Sequence, residues 1–469
     1  MTLLDRIARS TFVALAVGLG WGIRGDFGHL VGAMFPGACL AMGFAYVSRQ
    51  RSLFLWMPIL AAVSAIGIGS GGAMSYGILH GYAQSDTFIN YSYGFLTLFL
   101  QGAAWGTFGG AMVGLVLERE ALRTTQWLSL VLTVMAGGWF TSFLIVDSLG
   151  FHINPPRNNT SITYFGAALA QLVWLAMNRK WSGFRGGLLG YLGFGLGMSG
   201  GRLLGNIANV LQAPSLLDFT INHWNVMETS CGLIGGFVFA FGMLKYAYPA
   251  PPEDESIGWT SALSITFVLG VIPLWHRLTR IRPDEKLMSW ANELKAYGYE
   301  NPEQLAETIL WQLDAICVLG FVGAAAWMLI HFRRWQPLAW FPVMWLTLTM
   351  LLFQNVNALY FWYPHREKQL NMHSVFWVLI GLMATYVIVS PLFRPKPSAD
   401  DSQTADVPVP WPRWVAIAAA CLVGIVLAAS FVNGEETMGS ANTRWPVWSW
   451  SEGPFPGKAA EAQQGAPAK

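Results

Sequence analysis

The stretch FLTLFLQGAAWGTFGGAMVGLVL, Phe95 to Leu117, runs 23 residues without a charged side chain. At about 1.5 Å of helical rise per residue it is long enough to cross the roughly 30 Å hydrocarbon core of a bilayer. It is not an isolated case. Hydrophobic residues make up 54% of the 469 positions and charged residues 12%, with a mean hydropathy of +0.42. A soluble domain carries about 25% charge. The expected fold class is therefore an all-α polytopic membrane protein.

Working outward from Phe95, thirteen stretches qualify as spans, at about 10–24, 29–48, 54–78, 95–117, 126–146, 161–178, 186–204, 225–246, 258–276, 309–330, 338–357, 373–391 and 412–432. The first is short, so it either stands alone or pairs with the second as a broken helix. With the N-terminus inside, the inner turns hold Arg49 and Arg51, Arg119 and Arg123, Arg179, Lys180 and Arg185, Lys245, Arg333 and Arg334, and Arg394 and Lys396. That is the positive-inside pattern. It predicts an integral protein of a bacterial plasma (inner) membrane with a cytoplasmic N-terminus. The outer loop after His276 departs from it, with Arg277, Arg280, Arg282, Lys286 and Lys295 set among acidic residues.

Glycine spacing divides the chain. Gly106-x-x-Gly109-Gly110 recurs as Gly232-x-x-Gly235-Gly236, and Ser70-Gly-Gly72 recurs as Ser199-Gly-Gly201. These pairs predict a Gly-rich membrane half, residues 1–250, built as a tandem repeat of four spans over about 1–123 and 124–250. Parallel repeats of this kind occur in transporters. The same glycines have a plainer reading, since small residues let helices approach closely in lipid. A minority, in Gly67–Gly72 and Gly193–Gly201, are candidates for helix breaks that expose backbone groups. A second membrane half follows at 251–432. Within it, Pro283 and Pro302 each start an acidic helical turn, predicting a pair of outer amphipathic helices over 283–307, either lying on the interface or acting as a lid. Residues 433–469, rich in Ala, Gly, Pro and Trp, read as a flexible outer tail.

On this topology seven of the eight histidines, all but His331, fall on the outer side. Ionisable groups at a membrane edge are costly and point to a site there. Arg24-Gly-Asp26-Phe-Gly-His29 puts a guanidinium, a carboxylate and an imidazole within six residues between two apolar spans. Arg24 suits a carboxylate, phosphate or vicinal hydroxyls; Asp26 and His29 suit proton transfer. An Arg24–Asp26 salt bridge is the plainer alternative. Asp147 and His152 flank a second cluster, where Asn and Pro residues also spell an ordinary loop.

Arg202, Asn206 and Asn209 share a face of the seventh span, where Arg202 calls for an anionic or dipolar partner, with Asp147 and Glu228 the structural options. His223, Asn225 and Glu228 open the eighth span. Glu228 lies inside the apolar run and is the best candidate for proton coupling or acid/base work. Asn355, Asn357 and Arg366 close the eleventh span beside Trp362, whose aromatic neighbours also suit an interfacial belt. Asp314 in the tenth span raises the same question as the two amides.

The catalytic candidates are thus Asp26, His29, Asp147 and Glu228. The binding candidates are Arg24, Arg202, Asn206, His223, Asn225, Asn355, Asn357 and Arg366. No nucleotide, metal or nucleophile motif occurs, and Cys39, Cys231, Cys317 and Cys421 are scattered through apolar segments, so no metal, cofactor or disulfide framework is expected. The net charge of +2 argues against a nucleic-acid partner. Two functions fit: a secondary transporter of a small polar or anionic solute, and an outward-facing glycosyl- or acyltransferase using a lipid-linked donor. An envelope assembly protein, with the Trp-rich tail as contact surface, is the third class. Membrane lipids are the shared partner, and the oligomeric state is open.

Overall fold

A computed structural model describes the chain except residues 25–29, 75, 119, 155–158, 212–219, 249–255, 281–282, 353–359, 361–368, 371, 391–402, 405–408 and 435–469. Eighteen helices follow one another: α1 (Leu3–Ile23), α2 (Leu30–Ser48), α3 (Arg51–Leu55), α4 (Met57–Ser70), α5 (Gly77–Ala83), α6 (Phe88–Val116), α7 (Thr124–Ser142), α8 (Thr160–Met177), α9 (Trp181–Leu211), α10 (His223–Met243), α11 (Ser256–Thr266), α12 (Ile272–Arg280), α13 (Pro283–Ala296), α14 (Pro302–Ala315), α15 (Gly323–His331), α16 (Trp335–Met350), α17 (Met372–Val389) and α18 (Trp411–Ala429). Extended structure among the described residues consists of two-residue parallel pairs, Thr220–Ile221 with Gln369–Leu370 and Tyr246–Ala247 with Gln403–Thr404, and a single bridge residue at Ser85.

Among the described residues eight helical stretches are long and apolar enough to cross a membrane, nine if α4 and α5 form one bent span. This is the architecture of a helical, multi-pass membrane protein. The count is below the thirteen expected because α1, α9, α16 and α17, although helical, are not among the eight. In α9 ten glycines dilute the hydropathy of 31 residues. Three spans are the least covered by the rest of the bundle: Thr124–Ser148 and Trp411–Ala429 are each 11% buried and Pro302–His331 22%. Their apolar side chains suit contact with lipid.

The core of the bundle is α9, packed between α6 and α10, with α1 lying against α10 and α2. Glycine sets these contacts. A Cβ on Gly106 would run into the Gly190 carbonyl, one on Gly110 into that of Gly186, and one on Gly114 into that of Ser182. In lipid, where no hydrophobic force draws helices together, such close backbone approach supplies the van der Waals gain. Across α1 and α10, a Cβ on Gly232 would lie 2.5 Å from the Val17 carbonyl oxygen and 2.7 Å from the Gly18 Cα.

Several expectations change. The first helix starts at Leu3, and α1 and α2 are separate helices packed antiparallel, with Gly20 against Pro36 and Gly43 against Val13. Pro283–Ala296 is a short helix as expected, with Trp290 and Leu294 buried on one face. Pro302, however, begins a continuous helical stretch to His331, because apolar residues resume within two turns. The two Ser-Gly-Gly elements also differ. Ser70-Gly-Gly72 ends α4 in a 3₁₀ turn, Gly71–Ala73, after which α5 departs at 75°; Ser199-Gly-Gly201 lies in unbroken α9. Trp105 accounts for the first, its indole occupying the place a Cβ on Gly71 would take.

Candidate functional site

Three chain segments distant in sequence meet beside this break. Arg24 caps the end of α1, its backbone N–H donating to the Gly20 carbonyl, and its side chain turns into the bundle, 2% exposed. There the guanidinium donates to the hydroxyl of Tyr76, at the start of the α5 arm, and lies 3.5 Å from Glu228 Oε1. The Tyr76 hydroxyl donates to the same carboxylate oxygen at 3.4 Å. Glu228 is 8% exposed and stands about one and a half turns inside α10. A buried pair of this kind holds only while both partners are present, since either ion alone in a dry interior is costly.

Aromatic rings box the guanidinium. Its Cζ is 5.4 Å from the rings of Trp21 and Tyr76 and 5.3 Å from that of Trp105, distances at which a cation is attracted to the ring faces. Trp21 and Trp105 meet edge to face at 5.4 Å, and Phe194 of α9 packs on Trp21 at 5.4 Å. This floor lies near the middle of the bundle, because Trp105 stands midway along α6 and Phe194 midway along α9.

A second polar layer lies toward the start of α10. His80, one turn beyond Tyr76, packs its ring between Tyr76 at 5.1 Å and Trp224 at 5.3 Å. Arg202 Cζ is 5.8 Å from the Trp224 ring. Arg202 Nε donates to Asn206 Oδ1 at 2.6 Å. Asn206 Nδ2 donates to the Ala83 carbonyl and to Asn433 Oδ1, while Asn433 Nδ2 donates to the Ala83 and Ser85 carbonyls. The end of α5, the end of α9 and the segment after α18 are thereby clasped together.

Donors outnumber acceptors. Arg24 Nε, both indole nitrogens (Trp21 Nε1 and Trp105 Nε1), Thr229 Oγ1 and both ring nitrogens of His80 are buried without a hydrogen-bond partner among the described residues. Each such group left unmet costs about 1–3 kcal/mol. Their gathering around one guanidinium gives a region suited to a ligand rich in acceptors. Glu228 adds an exchangeable proton to it.

The sequence-derived candidates divide accordingly. Arg24 and Glu228 form the centre, with Arg202 and Asn206 in the layer above. His223 stacks at 5.7 Å on Trp224 at the rim, and Asn225 is half-buried in the first turn of α10, where its backbone N–H donates to the capping Asn222. Asp147 does not join them: it is exposed in the π-helical turn that ends α7, while Arg202 is engaged by the dipolar side chain of Asn206. His152 is held by Asn159 at 2.6 Å. Asp314 is bound by Arg277, at 2.6 Å from Nε and 3.1 Å from Nη2. Asp26, His29, Asn355, Asn357 and Arg366 lie outside the described residues. Sequence reasoning missed Tyr76, Trp21, Trp105 and Thr229 as site members. The available signals were the Gly-Gly break just before Tyr76 and His80, and Trp21 one turn before Arg24.

Among the described residues no group of three or more His, Cys, Asp or Glu side chains could hold a metal ion. Comparison with protein-family models, with curated proteins and with solved structures found no match.

Proposed function

We propose that the protein is a secondary transporter of a small polar or anionic solute, coupled to protons through Glu228, with its site reached from the outer face of a bacterial plasma membrane. The observation that carries this reading is the Arg24–Glu228 pair, 3.5 Å apart and buried beside a span bent by 75°. Discontinuous helices flanking a buried charged site are a recurrent transporter device.

With Glu228 ionised, Arg24 is held by protein. Protonation of Glu228 weakens that hold, and a solute acceptor can take the guanidinium. Loss of the proton restores the ion pair and expels the solute. The joint between α4 and α5 lets Tyr76 and His80 move with the α5 arm, and the Asn206–Asn433 clasp sets how far it swings. A thirteen-span bundle with a four-span tandem repeat fits this scheme, with one Ser-Gly-Gly element as hinge and the other as part of the rigid α9 wall.

Enclosure of the polar groups favours transport over a transferase, whose lipid-linked donor needs a site open to the bilayer or its surface. The test compares medium, lipids and surface glycans of cells carrying the wild type or Arg24→Ala. A solute left unconsumed or unexported, with lipids and glycans unchanged, supports transport. An accumulated lipid-linked precursor or an undecorated glycan overturns it in favour of the transferase.

A further inference from the structure

The transport reading leaves the solute's chemistry open, and the donors around Arg24 narrow it. A sugar brings a hydroxyl donor with every oxygen but that of its ring and needs acceptors in return. The site acceptors are the Glu228 carboxylate, already holding Arg24 and Tyr76, the Tyr76 oxygen, already holding Arg24, and two groups that both accept and donate, Thr229 Oγ1 and the His80 ring. Three of the unmet groups, Arg24 Nε, Trp21 Nε1 and Trp105 Nε1, can only donate, and they are what tips the balance toward an acceptor-rich ligand. A carboxylate presents only acceptors, in a plane that matches a guanidinium and flanking N–H groups. The walls of Trp21, Trp105 and Tyr76 suit a flat or apolar body behind it.

Charge balance limits the ligand further. Among the described residues, Arg24 from α1, Tyr76 from the α5 arm and Cys231 from α10 itself interact electrostatically with Glu228, and His80 interacts with Arg24 and with Arg202 of α9. Arg202 Nε is engaged by Asn206 and its Cζ lies 5.8 Å from the Trp224 ring, and its charge is the same before and after Glu228 takes a proton. Neutralising Glu228 with one proton therefore releases one positive charge, that of Arg24. One negative charge restores the balance in a medium where an uncompensated ion is expensive.

Resting on the transport reading of this site, we infer that its ligand is a small monocarboxylate with a flat, apolar body, whose carboxylate replaces that of Glu228 on Arg24 while one proton is bound. Each binding event is electroneutral. Trp21 and Trp105 are positioning residues whose N–H groups direct the carboxylate, and Arg24 is the ligand's charge partner.

The test is calorimetric titration of the purified full chain with benzoate, benzamide, phthalate and glucose, in two buffers of different ionisation enthalpy so that proton uptake is measured directly. Benzoate is expected to bind with uptake of one proton. Its neutral isostere benzamide, the dianion phthalate and glucose are expected to bind at least about tenfold more weakly, the scale of one charge-assisted hydrogen bond. Glu228→Gln should keep benzoate binding and lose the proton uptake. Trp105→Phe, which retains the ring and loses the N–H, should weaken benzoate about five- to tenfold with benzamide unchanged. Zero proton uptake by the wild type overturns the inference, as does benzamide, phthalate or glucose binding as tightly as benzoate. Arg24-dependent flux of a solute that is not a monocarboxylate would overturn the ligand class and leave transport standing. Benzoate binding with the predicted proton uptake, but no flux of any solute, would uphold the ligand class and sink transport.

Discussion

The Arg24–Glu228 pair can be weighed by a double-mutant cycle. Arg24→Met and Glu228→Met each remove one charge and keep an unbranched side chain in its place. At the 3.5 Å separation of the pair and an effective dielectric of about 20, the attraction is about 5 kcal/mol. Removing one member of a buried pair costs about 3–5 kcal/mol, in part because the other ion is left in a poor medium. Arg24→Met also gives up the bond to Tyr76 and contact with three rings, so it should be the worse of the two. The double variant replaces an ion pair with two apolar side chains, a change that is often neutral or stabilising. Its stability should return to near wild type. The assay is reversible unfolding of the purified protein in mixed micelles under titration with dodecyl sulfate, followed by circular dichroism. A coupling energy of about 3 kcal/mol or more is expected. Additive single effects, with coupling below about 1 kcal/mol, would mean that the two charges do not share a site and would remove the basis of the mechanism.

Other consequences can be checked separately. Gly106→Leu forces a side chain into the Gly190 carbonyl and should cost about 1–3 kcal/mol or more by overpacking. Gly381→Ala, with nothing within 4 Å of its Cβ, should be neutral or stabilising by up to about 1 kcal/mol; the reverse ranking in the same unfolding assay would refute the packing account. Asn433→Ala removes bonds to the Ala83 and Ser85 carbonyls and to Asn206, so hydrogen exchange across residues 77–85 should accelerate, and unchanged protection would show that the clasp does not restrain α5. Arg277→Ala breaks a pair whose Asp314 is 49% exposed, so stability should fall by no more than about 1 kcal/mol with function retained; loss of function would move Asp314 into the site.

The helical membrane class is legible in the sequence, and so is the presence of Arg24 and Glu228 at the margins of apolar runs. A long uncharged run such as Phe95–Leu117 has few other uses, and an Arg or Glu at the margin of an apolar stretch has few inexpensive positions. The pairing was not legible. Asp26 is close to Arg24 in sequence, and Arg202 looked a natural partner for Glu228, yet Arg24 reaches Glu228 because Gly18 and Gly232 let α1 and α10 touch. Such a contact depends on which small residues face each other once the bundle has packed. Tyr76 was hidden for a related reason, and His80, one of the seven outer histidines, could not be given its place beside it. The break that admits them is fixed by Trp105 lying against Gly71, and in sequence Trp105 is indistinguishable from any core aromatic. The expected second amphipathic helix failed because Pro302 and its acidic first turn mark a helix start equally well for a surface helix and for a span.

The central claim is that a solute crosses the membrane by exchanging with Glu228 on Arg24. Its most direct test is reconstitution of the purified protein into liposomes incubated with a small-molecule extract of growth medium, acidic outside, followed by mass spectrometry of the trapped contents. Wild type should concentrate a small anionic or polar solute relative to protein-free liposomes. Glu228→Gln should only equilibrate that solute while still exchanging it when preloaded. If the wild type concentrates nothing, or if Glu228→Gln concentrates the solute as the wild type does, the account is contradicted.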